Sequence, residues 1–258
     1  MNALLNLTSD QLMVWFGTIW WPFIRLAAFF WILPVYDNPA VAPRAKVMTA
    51  LFLSFLLSSY VEVVPVDPFS VEGAIVTGEQ ILFALIMAAA VRMLFDVLAL
   101  VGLTISMQMG LSMAMMMDPG SGDQVSVLSQ LFWVMTVLLF FAFDGHLISL
   151  QLMVDSFTLW PVGSSLYQLD LPALISLFGW MLGATLTVAL PAIIAMLLVN
   201  LTFGVASRSA PSMNLFALGF PMALLLGFVC VYLTLYQMGN HFFSLAEYVF
   251  ALMRQAMG

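Results

Sequence analysis

The stretch Gln80–Met117, "QILFALIMAAAVRMLFDVLALVGLTISMQMGLSMAMMM", is apolar almost without interruption. A spanning helix takes about 20 residues and the hydrocarbon core is about 30 Å thick. As one straight helix this run would reach about 55 Å at about 1.5 Å per residue. It must therefore bend, fold into a hairpin or project out of the bilayer, and Gly102 and Gly110 are the natural break points. Its last residues raise a second question. Met113, Met115, Met116 and Met117 place four methionines in five residues, directly before Asp118-Pro119-Gly120, a sequence that stops a helix and turns the chain.

The rest of the chain has the same character. Of 258 residues, 64% are hydrophobic and 7% are charged, whereas soluble domains carry about a quarter charged residues. Such a chain cannot cover its own surface in water, so it is an integral membrane protein or a buried part of an assembly. Thirteen acids against six bases leave no basic patch for phosphates, which excludes nucleic acid as a partner. The single cysteine, Cys230, excludes an internal disulfide. No basic segment precedes the first apolar run, so no cleavable signal peptide is expected.

Further apolar runs lie at about 12–33, 47–61, 125–154, 173–203 and 215–237, with a short amphipathic tail over 241–257. Hydropathy alone counts six spans, a count that the over-long runs put in question. Arg44 and Lys46 in loop 34–46 and Arg208 in loop 204–214 alternate with acidic loops at 62–79 and 155–172. Six crossings would place the basic loops in the cytoplasm and the N-terminus outside. With no internal repeat, low-complexity tract or linker, residues 1–258 read as one domain.

Charges in such surroundings face protein or a water-filled path. Arg92 and Asp96 are four residues apart and can pair on one helix face. They read as a self-neutralising pair, or as a link in a polar path or a subunit contact. Arg25, in "WWPFIRLAAFF", has no local partner and is expected to meet a carboxylate on another helix or chain. Asp144 and His146 flank Gly145. They could handle protons, since His titrates near neutrality, but Gly145 suggests a helix end where both residues simply cap or reach water. No phosphate loop, zinc-binding helix or nucleophile elbow occurs. The reading is a non-enzymatic scaffold, channel or transporter component without a metal or cofactor.

Four stretches carry a resemblance that spans nearly the whole chain. They are "WWPFIRLAAFFWILP" with the following "APRAKV" (within Trp20–Val47), "MQMGLSMAMMMDPGSG" (Met107–Gly122), "DGHLISLQLMVDSFTLWPVGSS" (Asp144–Ser165) and "LPAIIAMLLVNLTFGVASRSAPSMNLFALGFPMALLLG" (Leu190–Gly227). In order, spacing and total length the chain resembles the FliR/SctT family of type III export-gate proteins. Two places depart from the family pattern: Met113 and Met116 stand where phenylalanines are frequent, and Met222-Ala223 follows "GFP" where a polar or basic residue is frequent.

The resemblance implies an all-α membrane protein of kinked helical hairpins, with a FliP-like part over about 1–170 followed by a FliQ-like part over about 171–258. It implies winding with FliP-like and FliQ-like subunits into a helical export gate, alongside FlhB-like and FlhA-like components, in the bacterial inner membrane at the flagellar basal body. It also implies that unfolded proteins pass the gate on energy from the proton motive force and a partner ATPase. Arg25, Arg92, Asp96, Asp144, His146 and Arg208 become candidate intramembrane or subunit contacts. On the residues alone, the methionines are lipid-facing or core filler at the end of a long helix. With the resemblance, Gly110, Met113, Met115, Met116 and Met117 become a pore plug. Methionine is flexible and polarizable, and a compliant apolar constriction can seal by dewetting and re-pack around varied substrates. The same role in a virulence injectisome is the nearest alternative. A secondary transporter for a small solute is more distant, because neither repeated halves nor a developed midplane polar site is present.

Overall fold

A computed structural model describes residues 9–37, 41–59, 66–111, 126–209 and 215–258. The described residues form helices and connecting turns: α1 (Ser9–Ile32), α2 (Pro43–Leu57), α3 (Val71–Gln108), α4 (Val127–Ala142), α5 (Gly145–Leu159), α6 (Leu171–Ser209) and α7 (Leu215–Met257). A 3-10 turn, Leu166–Gln168, precedes α6. The chain is an all-α membrane protein. Among the described residues, three stretches, Val71–Gln108, Leu171–Ala206 and Gly219–Met257, are long and apolar enough to cross a bilayer, with a fourth if α4 and α5 count as one bent span. These are fewer than the six runs that hydropathy counts, and Phe16–Ile32 is a further, shorter apolar helix.

Local chemistry sets where these helices start. Before α3, the Asp67 carboxylate accepts from the Phe69 amide at 2.9 Å and the Ser70 hydroxyl accepts from the Gly73 amide at 2.9 Å. The first bond folds the turn that leads into the helix, and the second satisfies one of the amides that a helix start leaves open. The Asp170 carboxylate likewise accepts from the Ala173 amide at 3.0 Å, which starts α6. Hydroxyls inside the helices turn back on their own backbone, as in Thr104 to Leu100 O at 2.8 Å and Thr136 to Phe132 O at 2.7 Å. That arrangement lets polar residues sit in apolar surroundings without an outside partner.

The run at 80–117 does not break at Gly102. Helix α3 continues for 38 residues to Gln108, about 57 Å at the usual rise. It ends in a Schellman turn: the Gly110 amide donates to Met107 O at 3.1 Å and the Leu111 amide to Ser106 O at 3.1 Å. Gly110 has φ +75°, the left-handed conformation that favours glycine at this position. The helix therefore stops at Gln108, ten residues before Asp118; Asp118-Pro119-Gly120 itself lies outside the described residues. The run at 125–154 breaks into α4 and α5 with a 66° bend, and Asp144 at the break has φ +55°. Aspartate tolerates that strain better than most residues. The span at 215–237 and the tail at 241–257 are a single helix, α7, of 43 residues. Gly239 inside it costs about 1 kcal/mol, whereas a break would strand backbone groups at two new helix ends.

The chain packs as two units. One comprises residues 1–93, 144–177 and 248–258; the other comprises 94–143 and 178–247. In the first, α2 packs on α1, and the Asp170 amide donates to Ala256 O at 3.2 Å. In the second, α3 and α4 run antiparallel: Phe95 meets Phe140 edge-on at 5.1 Å, and Gly102 lies against Leu128 and Ser129. Here Gly102 acts as a notch. A methyl group there would fall 2.7 Å from Leu128 O and 2.9 Å from Ser129 Cα. The Ser129 hydroxyl closes the crossing by donating to Ala99 O at 2.9 Å.

Because Gly102 faces backbone that cannot swing aside, Gly102→Ala is expected to destabilise the chain by about 1–3 kcal/mol. Gly183→Ala, at an α6 position with open space around it, is expected to be neutral or slightly stabilising. Thermal unfolding of the two variants in the same detergent checks this, and equal midpoints would contradict it.

Candidate functional site

The most developed polar site surrounds Arg25, which is completely buried. Helix α1 presents Trp21 and Arg25 one turn apart on its inner face, α3 contributes Gln80 and Phe83, and α5 contributes Ser156 and Phe157. Arg25 Nε donates to Gln80 Oε1 at 2.7 Å, Nη1 to Ser156 Oγ at 2.9 Å and Nη2 to Trp160 O at 3.2 Å. The guanidinium carbon lies 4.2 Å from the Phe157 ring centroid, 4.8 Å from that of Phe83 and 5.1 Å from that of Trp160. Phe83 and Trp160 themselves stack at 4.5 Å and 3°.

The carboxylate expected for Arg25 is replaced by neutral oxygens and aromatic faces. The physical reason lies at the end of α5. Trp160 caps that helix with φ −132° and ψ 80°, and Pro161 follows it. Carbonyls at a helix C-terminus lack intrahelical partners and carry the negative end of the helix dipole. A guanidinium fork satisfies one of them while the ring faces attract the cation. Arginine suits this better than lysine, because its planar fork can reach three acceptors at once and stack. The sequence did not reveal Gln80; its signal is a lone amide in an otherwise apolar helix run.

The remaining candidates are distributed elsewhere. Arg92 reaches outside its own helix to Asp37, Nη1 to Oδ2 at 3.1 Å, with both side chains about half exposed. Asp96 lies one turn further along α3 and is half-buried. Asp144, exposed, precedes α5 and His146 lies in its first turn, half-buried, so both mark the bend between α4 and α5. Arg208 is exposed in the last turn of α6, where a cation complements the helix dipole. A second ion pair, unforeseen from sequence, joins Arg254 Nη2 to Asp155 Oδ2 at 3.2 Å. Gly110 is the turn residue that ends α3. Met113, Met115, Met116 and Met117 lie outside the described residues. Among the described residues, no three His, Cys, Asp or Glu side chains converge to hold a metal ion.

The family model described as bacterial export proteins, family 1, matches residues 16–249. The chain is 30% identical to the flagellar biosynthetic protein FliR of Pectobacterium carotovorum subsp. carotovorum, over 90% of this chain and 89% of that protein. It is 31% identical to the flagellar biosynthetic protein FliR of Escherichia coli strain K12, over 87% and 86% respectively. The protein of the same name from Aquifex aeolicus strain VF5 is 28% identical over 94% of this chain and 96% of its own length.

Arg25→Lys keeps a charge but loses the fork and the stacking. It is expected to lower stability by about 2–3 kcal/mol, since hydrogen bonds to charged groups contribute about 1.5–3 kcal/mol each. Resistance to limited proteolysis in membranes provides the measurement. Unchanged resistance in Arg25→Lys would show that the fork is not what holds α1, α3 and α5 together.

Proposed function

Since the chain belongs to family 1 of the bacterial export proteins, the family of the flagellar FliR proteins, we propose that it is a structural and gating subunit of the flagellar protein export gate. Membership of the flagellar export apparatus follows from the family. The finer reading is that this subunit lines and seals the pore through which unfolded flagellar proteins leave. It performs no catalysis of its own, and energy comes from the proton motive force and a partner ATPase. Its place is the inner membrane at the flagellar basal body.

The observation that carries this reading is the surface of α6 and α7. Along α6, Ile175, Phe178, Leu182, Leu186, Leu190, Ile194, Leu197 and Leu201 are exposed at helical spacing. Phe228, Tyr232, Tyr236 and Phe243 do the same along α7. Apolar stripes of this length need lipid or neighbouring chains to cover them. Subunits of FliP-like and FliQ-like type are the neighbours that fit an export-gate protein, with FlhB-like and FlhA-like components beside them. The division into a FliP-like part over 1–170 and a FliQ-like part over 171–258 comes from the family resemblance and puts its boundary at the capped start of α6. The methionine segment Gly110–Met117 serves as the plug, its flexible side chains sealing the pore and yielding to substrate. The flagellar names of the relatives favour the flagellum over a virulence injectisome.

A tagged copy purified from its own cells is expected to bring FliP-like and FliQ-like chains in fixed ratio. A lone chain or a simple homodimer would overturn the gate and favour a small-solute transporter. In the assembled gate, removal of Met113–Met117 is expected to raise ion leak across the membrane several-fold. An assembled gate that stays tight without those residues would remove the plug from the reading.

A further inference from the structure

Met109 is the last residue before the Gly110 turn, and its side chain is 1% exposed. It lies over the backbone of Gly227 in α7, so closely that a methyl group on Gly227 would fall 2.6 Å from both Met109 Sδ and Cε. Gly227 is buried, with the buried residues Ala223 and Val231 one turn before and one turn after it. Two turns before Gly227, Phe220 lies beside Gly110: its ring carbons are 3.8 and 3.9 Å from where a Gly110 side chain would begin. The end of α3 is thus seated on one face of α7 at two points that share a helical register.

The seat differs from the crossing at Gly102. There the neighbour is backbone of α4, reinforced by the Ser129 hydrogen bond. Here the neighbour is a methionine side chain with three rotatable bonds, which can leave and return without disturbing either helix. The Schellman turn ties Leu111 and Gly110 rigidly to Ser106 and Met107. A pull on the chain after Leu111 therefore reaches Met109 directly.

We propose that Met109 seated on Gly227 is a releasable latch that holds the end of α3 against α7 in the closed gate and must come undone during export. The inference rests on the gating role proposed above and assigns a positioning residue on each helix. Glycine at 227 is then needed to receive Met109.

Two experiments in the assembled gate test it. Gly227→Ala, with co-purification of the partner chains unchanged, is expected to raise resting ion leak several-fold because the methyl displaces Met109. An assembled Gly227→Ala gate as tight as the parent would overturn the latch. In a Cys230→Ser background, Met109→Cys with Gly227→Cys is expected to form a disulfide under mild oxidant. Export should stop, and reductant should restore it. Absence of the disulfide, or export that continues while the disulfide is intact, would overturn the proposal. The two readings separate cleanly. Leak on removal of Met113–Met117 together with export through the cross-linked gate would keep the plug and discard the latch. A tight deletion variant together with export blocked by the cross-link would keep the latch and discard the plug.

Discussion

Every polar backbone group of a chain this apolar must find its partner inside the protein, because a bilayer offers none and each unsatisfied group there costs several kcal/mol. That constraint explains the length of the helices. Ending a helix exposes four amides or four carbonyls, so the chain runs on through Gly102, Pro191 and Gly239. Breaks occur where a local device closes the open groups. Asp67 and Ser70 start α3, Gly110 ends it, and Asp170 starts α6. Hydroxyls that could compete for the backbone instead bond to the carbonyl three or four residues earlier on the same helix.

The same constraint governs Arg25, the one fully buried charge among the described residues. A buried carboxylate partner for Arg25 would carry its own desolvation cost of several kcal/mol. The carbonyl at the end of α5 lies inside the protein whatever faces it, so satisfying it adds no second charge. Gln80, Ser156 and the three aromatic faces complete the shell with neutral groups. The pairs Arg92–Asp37 and Arg254–Asp155 are another matter: their side chains are one-third to three-fifths exposed. Pairs of that kind contribute about 0–1 kcal/mol. By magnitude, then, Arg25 joins α1, α3 and α5, whereas the exposed pairs add little to stability.

Class and family were legible in the residues, because composition excludes a soluble domain and four motifs stand in register. The over-long runs were also legible as an anomaly. Their resolution was not, because a glycine inside an apolar run has two meanings that hydropathy cannot separate. Gly110 ends a helix, while Gly102 admits the backbone of α4. The difference depends on what lies opposite in space. Arg25 posed a related problem. Its isolation along the chain was visible, but its acceptors come from residues 55 to 135 positions away. Two of them, a serine and a backbone carbonyl, have no charge to draw the eye. Spacing points Arg92 to its (i, i+4) neighbour Asp96 and could not show that its exposed side chain also reaches Asp37, outside its helix.

Burial across the long helices then divides their roles. The most apolar window of α3 is 56% buried within the chain, against 28% for α6 and 11% for α7. Helix α3 lends residues to both packing units. Helices α6 and α7 leave most of their apolar surface for something else to cover. Lipid could cover a smooth aliphatic face, but the face of α7 mixes Tyr232 and Tyr236 with Phe228 and Phe243. Tyrosine hydroxyls seek hydrogen-bond partners when buried, and such rings are enriched at contacts between proteins. A family of export-complex subunits has reason to keep that face open. In the gate proposed above, neighbouring subunits would complete the burial that the chain's own sequence leaves undone.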